Sequence, residues 1–185
     1  MYDDDLIERQ RQSHCVFDGK VLHVHCDEIE LPDGNTATRE YAKHIGAVAV
    51  VPLTDEGEVI CVRQFRYAMG RVMLEIPAGK LDSYMEDYRE AALRELREET
   101  GAVCRRLDFI GDLVTSPALL DEVIHLYLAR GLSFGDTDPD DDEFLDVVRI
   151  PLDTMVEMVM DGRIRDAKTQ TAILKTKMLL DNKNK

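Results

Sequence analysis

The sequence predicts an α/β fold preceded by a small antiparallel β-sheet, and three features of the 185-residue chain carry that reading. GAVAVVPL, residues 46–53, is nearly all apolar, the pattern of a strand buried on both faces. Residues 83–100 hold the strongest helix signal in the chain. Residues 15–43 instead alternate apolar and polar positions between turn signals, as short half-exposed strands do.

In chain order, CVFDGKVLHVHCDEIEL carries a D-G turn at Asp18-Gly19, and Leu31-Pro32-Asp33-Gly34-Asn35 is a second turn before the strand TATREYAKH. About three strands are too slight to stand alone, so this sheet must pack on something else. After the apolar strand, Asp55-Glu56-Gly57 turns the chain into EVICVRQFRY, and RVMLEIPAG follows. Beyond the helix, LDFIGDLVTS and EVIHLYLARG read as two more strands. The acidic stretch SFGDTDPDDDEFLD reads as a loop, Leu145 to Ile150 as a strand and Pro151 to Met160 as a short helix. Asp166 is placed to cap a last amphipathic helix with Ile173, Leu174 and Met178 on one face. The division drawn is residues 1–44 for the N-terminal β subdomain and 45–185 for the main domain.

A content of 44% apolar residues supports a buried core. The net charge of −14 repels phosphate backbones, so no nucleic-acid partner is expected, and a small anionic substrate needs a bound cation or a few placed arginines. Cys15, Cys26, Cys61 and Cys104 are scattered without metal-finger spacing, as reduced thiols of a cytoplasmic protein are. The polar start MYDDDLIERQRQ does not resemble a signal peptide, and no apolar run approaches the ~20 residues that span a bilayer, so no membrane partner is expected.

The chemistry concentrates in AGKLDSYMEDYREAALRELREETGAV, residues 78–103. With a 100° step per residue, Glu99 lies about 40° to one side of Glu95 and Glu98 about 60° to the other. Ala92 and Leu96 lie beside that stripe as the core face. Like charges at this spacing weaken a helix by roughly 0.2–0.5 kcal/mol per pair, so a cation among them would make sense of the stripe. Taken alone on an acidic protein, the cluster favours a solvated acidic face paired with Arg94 and Arg97.

Its flanks change that. Gly79, Glu86, Arg94, Glu95, Leu96, Glu98, Glu99 and Gly101 resemble the Nudix hydrolase signature, G-x5-E-x7-R-E-U-x-E-E-x-G-U. Two departures stand out: six residues separate Gly79 from Glu86, and Ala102 fills the final aliphatic position. Ser83-x-x-Glu86 has the form of a capping box, which predicts a helix starting near Tyr84 that absorbs the insertion. The resemblance implies an α/β/α Nudix sandwich with a mixed sheet. It also implies Mg²⁺, with Mn²⁺ as the alternative, held by Glu95, Glu99 and the Ala78 carbonyl with Glu98 in support. Glu86 and Arg94 would form an orienting salt bridge, and Gly79 and Gly101 would allow turns at the helix ends.

Pro117, in TSPALLDE sixteen residues after Gly101, resembles the ADP-ribose pyrophosphatase branch, although Ala118 stands where that branch has glycine. VRQFRYAMGRVMLEIPAGKLD and the tail from Asp141 to Thr169 share that similarity. It implies that Arg66 meets the substrate diphosphate as a bidentate donor and that Arg39 helps hold the adenosine end, often across a dimer interface. Glu143 aligns as general base, and Glu122 competes for that role. His23, His25 and His44 are read as structural. The implied reaction is hydrolysis of ADP-ribose to AMP and ribose 5-phosphate by a homodimer joined through its N-terminal sheet. A nucleotide sugar or oxidised nucleotide as substrate, or a non-catalytic ADP-ribose-binding module, are the alternatives.

Overall fold

A computed structural model of the protein describes residues 3–137 and 144–183. These form two compact units.

The first unit comprises Met1–Ile45 and Val114–Glu122. Strands β1 (Arg9–Asp18), β2 (His23–Glu30) and β3 (Thr36–Lys43) form an antiparallel sheet in that order. β1 begins earlier than the apolar alternation suggested, because the polar run Arg9–Ser13 also pairs with β2, with register shifts between Gln10 and Gln12 and between Cys15 and Phe17. The D-G turn closes where Gly19 N–H donates to the Leu22 carbonyl at 2.8 Å. The second turn is held by Gly34 N–H on the Leu31 carbonyl at 2.9 Å and by Asp33 Oδ1, which accepts the Asn35 N–H at 3.0 Å. The segment around Pro117 joins this unit, its Leu119 carbonyl accepting the Ala42 N–H at 2.8 Å.

The second unit is built on a mixed sheet of seven strands. These are β4 (Ala47–Leu53), β5 (Glu58–Arg66), β6 (Arg71–Glu75), β7 (Ala78–Lys80), β8 (Ala102–Val114), β9 (Val123–Phe134) and β10 (Leu145–Pro151). The path runs β10-β5-β4-β9-β8, with β6 on β5 and β7 on β4. β4 lies centrally, parallel to β9, and every one of its residues is buried, as the unbroken apolar run requires. Its alternate side chains serve two layers. Ala47, Ala49, Val51 and Leu53 pack with Met155, Val159, Ile164, Ala172 and Ile173 of the segment holding α2 (Leu152–Met160) and α3 (Ala167–Lys183). Val48 and Val50 stand outside that cluster, and α1 (Tyr88–Thr100) also packs on β4. Among the described residues no helix is long and apolar enough to cross a membrane.

Two helix expectations need correction. α1 starts at Tyr88 and not near Tyr84, because Asp87 caps it by accepting the N–H groups of Arg89 and Glu90. Ser83 and Glu86 form a turn instead. The Ser83 carbonyl accepts the Glu86 N–H at 3.1 Å, and Glu86 Oε2 takes the Asp82 N–H at 2.6 Å. The extra residue is therefore absorbed before the helix. In α3, Asp166 does cap, accepting the Thr169 N–H at 2.9 Å, but Met178 is 61% exposed; Thr169, Ala172, Ile173 and Thr176 form the buried face.

Asp87→Ala removes the acceptor for two helix N–H groups and is expected to cost about 1 kcal/mol, whereas Ser83→Ala should cost less than half of that. Urea unfolding of the two variants measures the difference.

Candidate active site

The site grows from the packing of α1 on β7. Glu95 and Glu99, one helical turn apart, are only 9% and 3% exposed. A Cβ on Gly79 would lie 2.1–2.4 Å from the Glu95 carboxyl atoms, so glycine is required for close approach. This revises the expected role of Gly79: it lies within β7 and is not among the positive-φ glycines. Gly101 does turn the chain, capping α1 at φ 67°. The Ala78 N–H donates to Glu99 Oε2 at 3.3 Å, so the strand touches both acids.

Arg94 ties the preceding loop to the helix. Its guanidinium reaches Glu86 at 3.1 Å, Glu95 at 2.7 Å, Glu98 at 3.1 Å and the Lys80 carbonyl at 3.2 Å. Burial works against its charge, but hydrogen bonds and attraction from Glu86, Glu95 and Glu98 outweigh that and raise its pKa. The expected trio is therefore unequal. Glu95 and Glu99 are buried beside β7, whereas the Glu98 side chain is 35% exposed and lies against Arg94. Among the described residues no three Asp, Glu, His or Cys side chains stand together as a metal-holding group.

A third buried acid, Glu75, acts with this pair through Arg66. Glu75 is 2% exposed and receives Arg66 Nε at 2.9 Å and Nη2 at 2.8 Å, a bidentate pair across the β5–β6 hairpin. Lys168 also donates to Glu75 and meets Asp166 Oδ1 at 3.1 Å. Burial would raise the Glu75 pKa, but the Arg66 hydrogen bonds and the Lys168 charge overcome it and hold the carboxyl at about 2. The Arg66 pKa is raised by its Glu75 hydrogen bond, with the charges of Glu75, Glu99 and Asp166 adding to it. Arg66, Glu75, Glu99, Asp166 and Lys168 are thus one electrostatic group. The adjoining backbone is fixed too, since Ile76 N–H donates to Thr169 Oγ1 at 3.0 Å.

A model of the NUDIX domain matches residues 43–170, more than half of the chain. The chain belongs to the Nudix family. It is 43% identical to the ADP-ribose pyrophosphatase of Bacillus subtilis (strain 168), over 85% of this chain and 86% of that protein. It is 41% identical to the methanol dehydrogenase activator of Bacillus methanolicus, over 90% of each chain. The crystal structure of an ADP compounds hydrolase superposes with a TM-score of 0.84 at 24% identity, covering 95% of each chain, a likeness of fold. The Nudix sandwich with a mixed sheet and a small antiparallel sheet is therefore the observed architecture.

Within this Nudix chain, α1 and β7 bring Ala78, Gly79, Glu86, Arg94, Glu95, Glu98 and Glu99 together. Arg39 belongs to the first unit and pairs with Glu8, its Nε donating to Oε2 at 3.0 Å. Glu122, also in the first unit, accepts from Thr115 Oγ1 at 2.7 Å and faces His44 Nε2 at 3.6 Å. Pro117 is exposed there, in a turn where the Ser116 carbonyl accepts from Leu119 and Leu120. Glu143 lies outside the described residues. Sequence reasoning passed over Glu75 and Lys168. The available signals were one acid in the apolar run VMLEIPAG and one lysine just after the Asp166 cap.

The Glu75 pKa is lowered on folding from an ordinary 4.5 to about 2, so its stabilising contribution is complete above pH 4.5 and is lost as pH falls toward 2. Glu75→Gln should therefore destabilise the protein near neutral pH by on the order of 3 kcal/mol. The gap to the wild type should shrink across that acid window. Denaturant titrations of both proteins at a series of pH values check it.

Proposed function

We propose that the protein is a Mg²⁺-dependent pyrophosphohydrolase that converts ADP-ribose and water to AMP and ribose 5-phosphate. The observation that carries this reading is the buried Glu95–Glu99 pair packed on Gly79, a position where a side chain does not fit. Two carboxylates held at one strand edge suit a hard divalent cation, which takes oxygen ligands and leaves positions for phosphate and water. Glu95, Glu99 and the Ala78 carbonyl are the proposed holders, with Glu98 in support and Mn²⁺ as a substitute ion. When bound, the cation would neutralise diphosphate charge and acidify the attacking water.

The chain's own residues do the rest. Arg66, fixed by Glu75, keeps a side chain 41% exposed and is the proposed donor to the diphosphate. Arg94 holds Glu86, Glu95 and Glu98 in register, so the acids keep their places between turnovers. Water adds to one phosphorus while the bond from that phosphorus to the bridging oxygen breaks. A carboxylate takes the proton released by the water. Glu143 is the proposed base; Glu122 is engaged by Thr115 and His44, which favours Glu143 over it. Arg39 belongs to the proposed handling of the adenosine end, and Pro117 is the structural residue shared with the ADP-ribose branch. The name of the B. subtilis relative supports the choice of substrate.

Two further readings complete the proposal. The three-stranded sheet presents β1 with all ten residues exposed, Val16 and Phe17 among them, and is proposed to join a second copy as a homodimer. The four cysteines are free thiols, in keeping with a cytoplasmic setting.

A hydrolysis panel of ADP-ribose, nucleotide sugars and nucleoside triphosphates, with products resolved, tests the function. ADP-ribose should give AMP and ribose 5-phosphate, and chelation of divalent ions should stop turnover. Glu99→Gln should lower kcat by roughly a hundredfold or more with the fold retained. Preferred turnover of a nucleotide sugar, or full activity of that variant, would overturn the reading.

A further inference from the structure

Gly79 on β7 and His125 on β9 both pair with Val48 of β4, so the three residues form one row on one face of the sheet. Two strand spacings put roughly 9.6 Å between the ends of that row. Tyr88 and Glu95 lie two turns apart on α1, which returns them to one face of the helix with a rise of about 10.5 Å. The two lengths match, and both ends make contact. At one end the Glu95 carboxylate lies on Gly79. At the other the Tyr88 ring stacks on His125, with centroids 3.7 Å apart and an interplanar angle of 17°. Between these points α1 packs on β4, where Ala91, Ala92 and Val48 are fully buried.

His125 is itself fixed. Its Nδ1 lies 2.6 Å from Asp112 Oδ1 on β8, a contact that orients the ring, and its side chain is only 13% exposed. Arg89 Nη1 donates to the Leu107 carbonyl at 2.8 Å and gives the same helical turn a second tie to β8. Loss of the stack would therefore loosen the start of α1 without releasing it. Tyr88, His125 and Asp112 take no part in the proposed hydrolysis. They bear on it through the helix, because a shift of its first turn across the sheet moves Glu95 and Glu99 as well. A Mg²⁺ site demands near-ideal octahedral geometry and tolerates little of such movement.

We propose that Tyr88 and His125 are positioning residues for the metal edge. The stack, with its imidazole oriented by Asp112, sets where α1 sits on the sheet and so where Glu95 and Glu99 meet the cation. This assignment rests on Glu95 and Glu99 being the seat of a divalent ion.

The test reads Mn²⁺ affinity of the whole protein without substrate, from the EPR signal of the free ion, alongside ADP-ribose hydrolysis at rising Mg²⁺. Tyr88→Ala and His125→Ala should each weaken Mn²⁺ binding about tenfold, as loss of a group that orients metal ligands does. Raising Mg²⁺ should restore kcat in both. Tyr88 is 44% exposed, so its truncation leaves the core filled, and Tyr88→Phe, which keeps the ring, should bind Mn²⁺ like the wild type. Ile173→Val, in the core on the opposite face of the sheet, should destabilise the fold and leave Mn²⁺ affinity unchanged. Unaltered affinity in both alanine variants, with binding still lost in Glu99→Gln, would overturn this proposal alone. An equal loss of affinity in Ile173→Val would also overturn it, since the effect would then be one of general stability. Unaltered affinity in Glu99→Gln would remove the metal seat and this proposal with it.

Discussion

Much of the second unit is arranged around one contact, the Glu95 carboxylate lying on the bare Cα of Gly79. A carboxylate that close to a backbone is tolerated only where no side chain intervenes. The approach in turn places the Ala78 N–H on Glu99 and sets the helix against the central strand β4 through Ala78–Lys80. Burying acids costs free energy unless charge or hydrogen bonds compensate. Arg94 compensates Glu95, and the Ala78 N–H contributes at Glu99. A bound cation would complete what these partners begin.

The same logic extends to Glu75. It is a buried acid held ionised by two cations, one from the hairpin and one from the start of α3. Through it, elements remote in sequence are locked at one place: Arg66 on β5, Lys168 on α3, and the chain leading to Ala78 and Gly79. The Thr169 hydroxyl reinforces the lock by accepting the Ile76 N–H and donating to Asp166. Breaking a buried pair of this kind leaves an uncompensated charge, which makes the arrangement all-or-none. Precise placement of Arg66 therefore depends on the C-terminal helix as well as on its own hairpin.

What the sequence disclosed was set by range. The motif from Glu86 to Gly101 is local, and helical periodicity by itself puts Glu95, Glu98 and Glu99 on one edge. β4 was equally plain, because an unbroken apolar run of that length suits a strand covered on both faces. The start of α1 was misread because two capping arrangements compete within five residues. Asp87 prevails, since Glu86 is drawn away to Asp82 and Arg94. Long-range partners were out of reach: the Arg66–Glu75 pair depends on hairpin register, and the placement of Val114–Glu122 in the first unit depends on topology. Gly79 has the look of a turn glycine in sequence, and only the position of the Glu95 carboxylate reveals why a side chain is barred there.

The central claim is that Glu95 and Glu99 form the seat of a divalent ion. Anomalous diffraction from crystals of the whole protein soaked in Mn²⁺ tests this most directly. The account predicts an anomalous peak within about 2–2.5 Å of carboxylate oxygens from both residues. Clear manganese signal elsewhere with none beside this pair, in crystals that still turn over substrate, would contradict it.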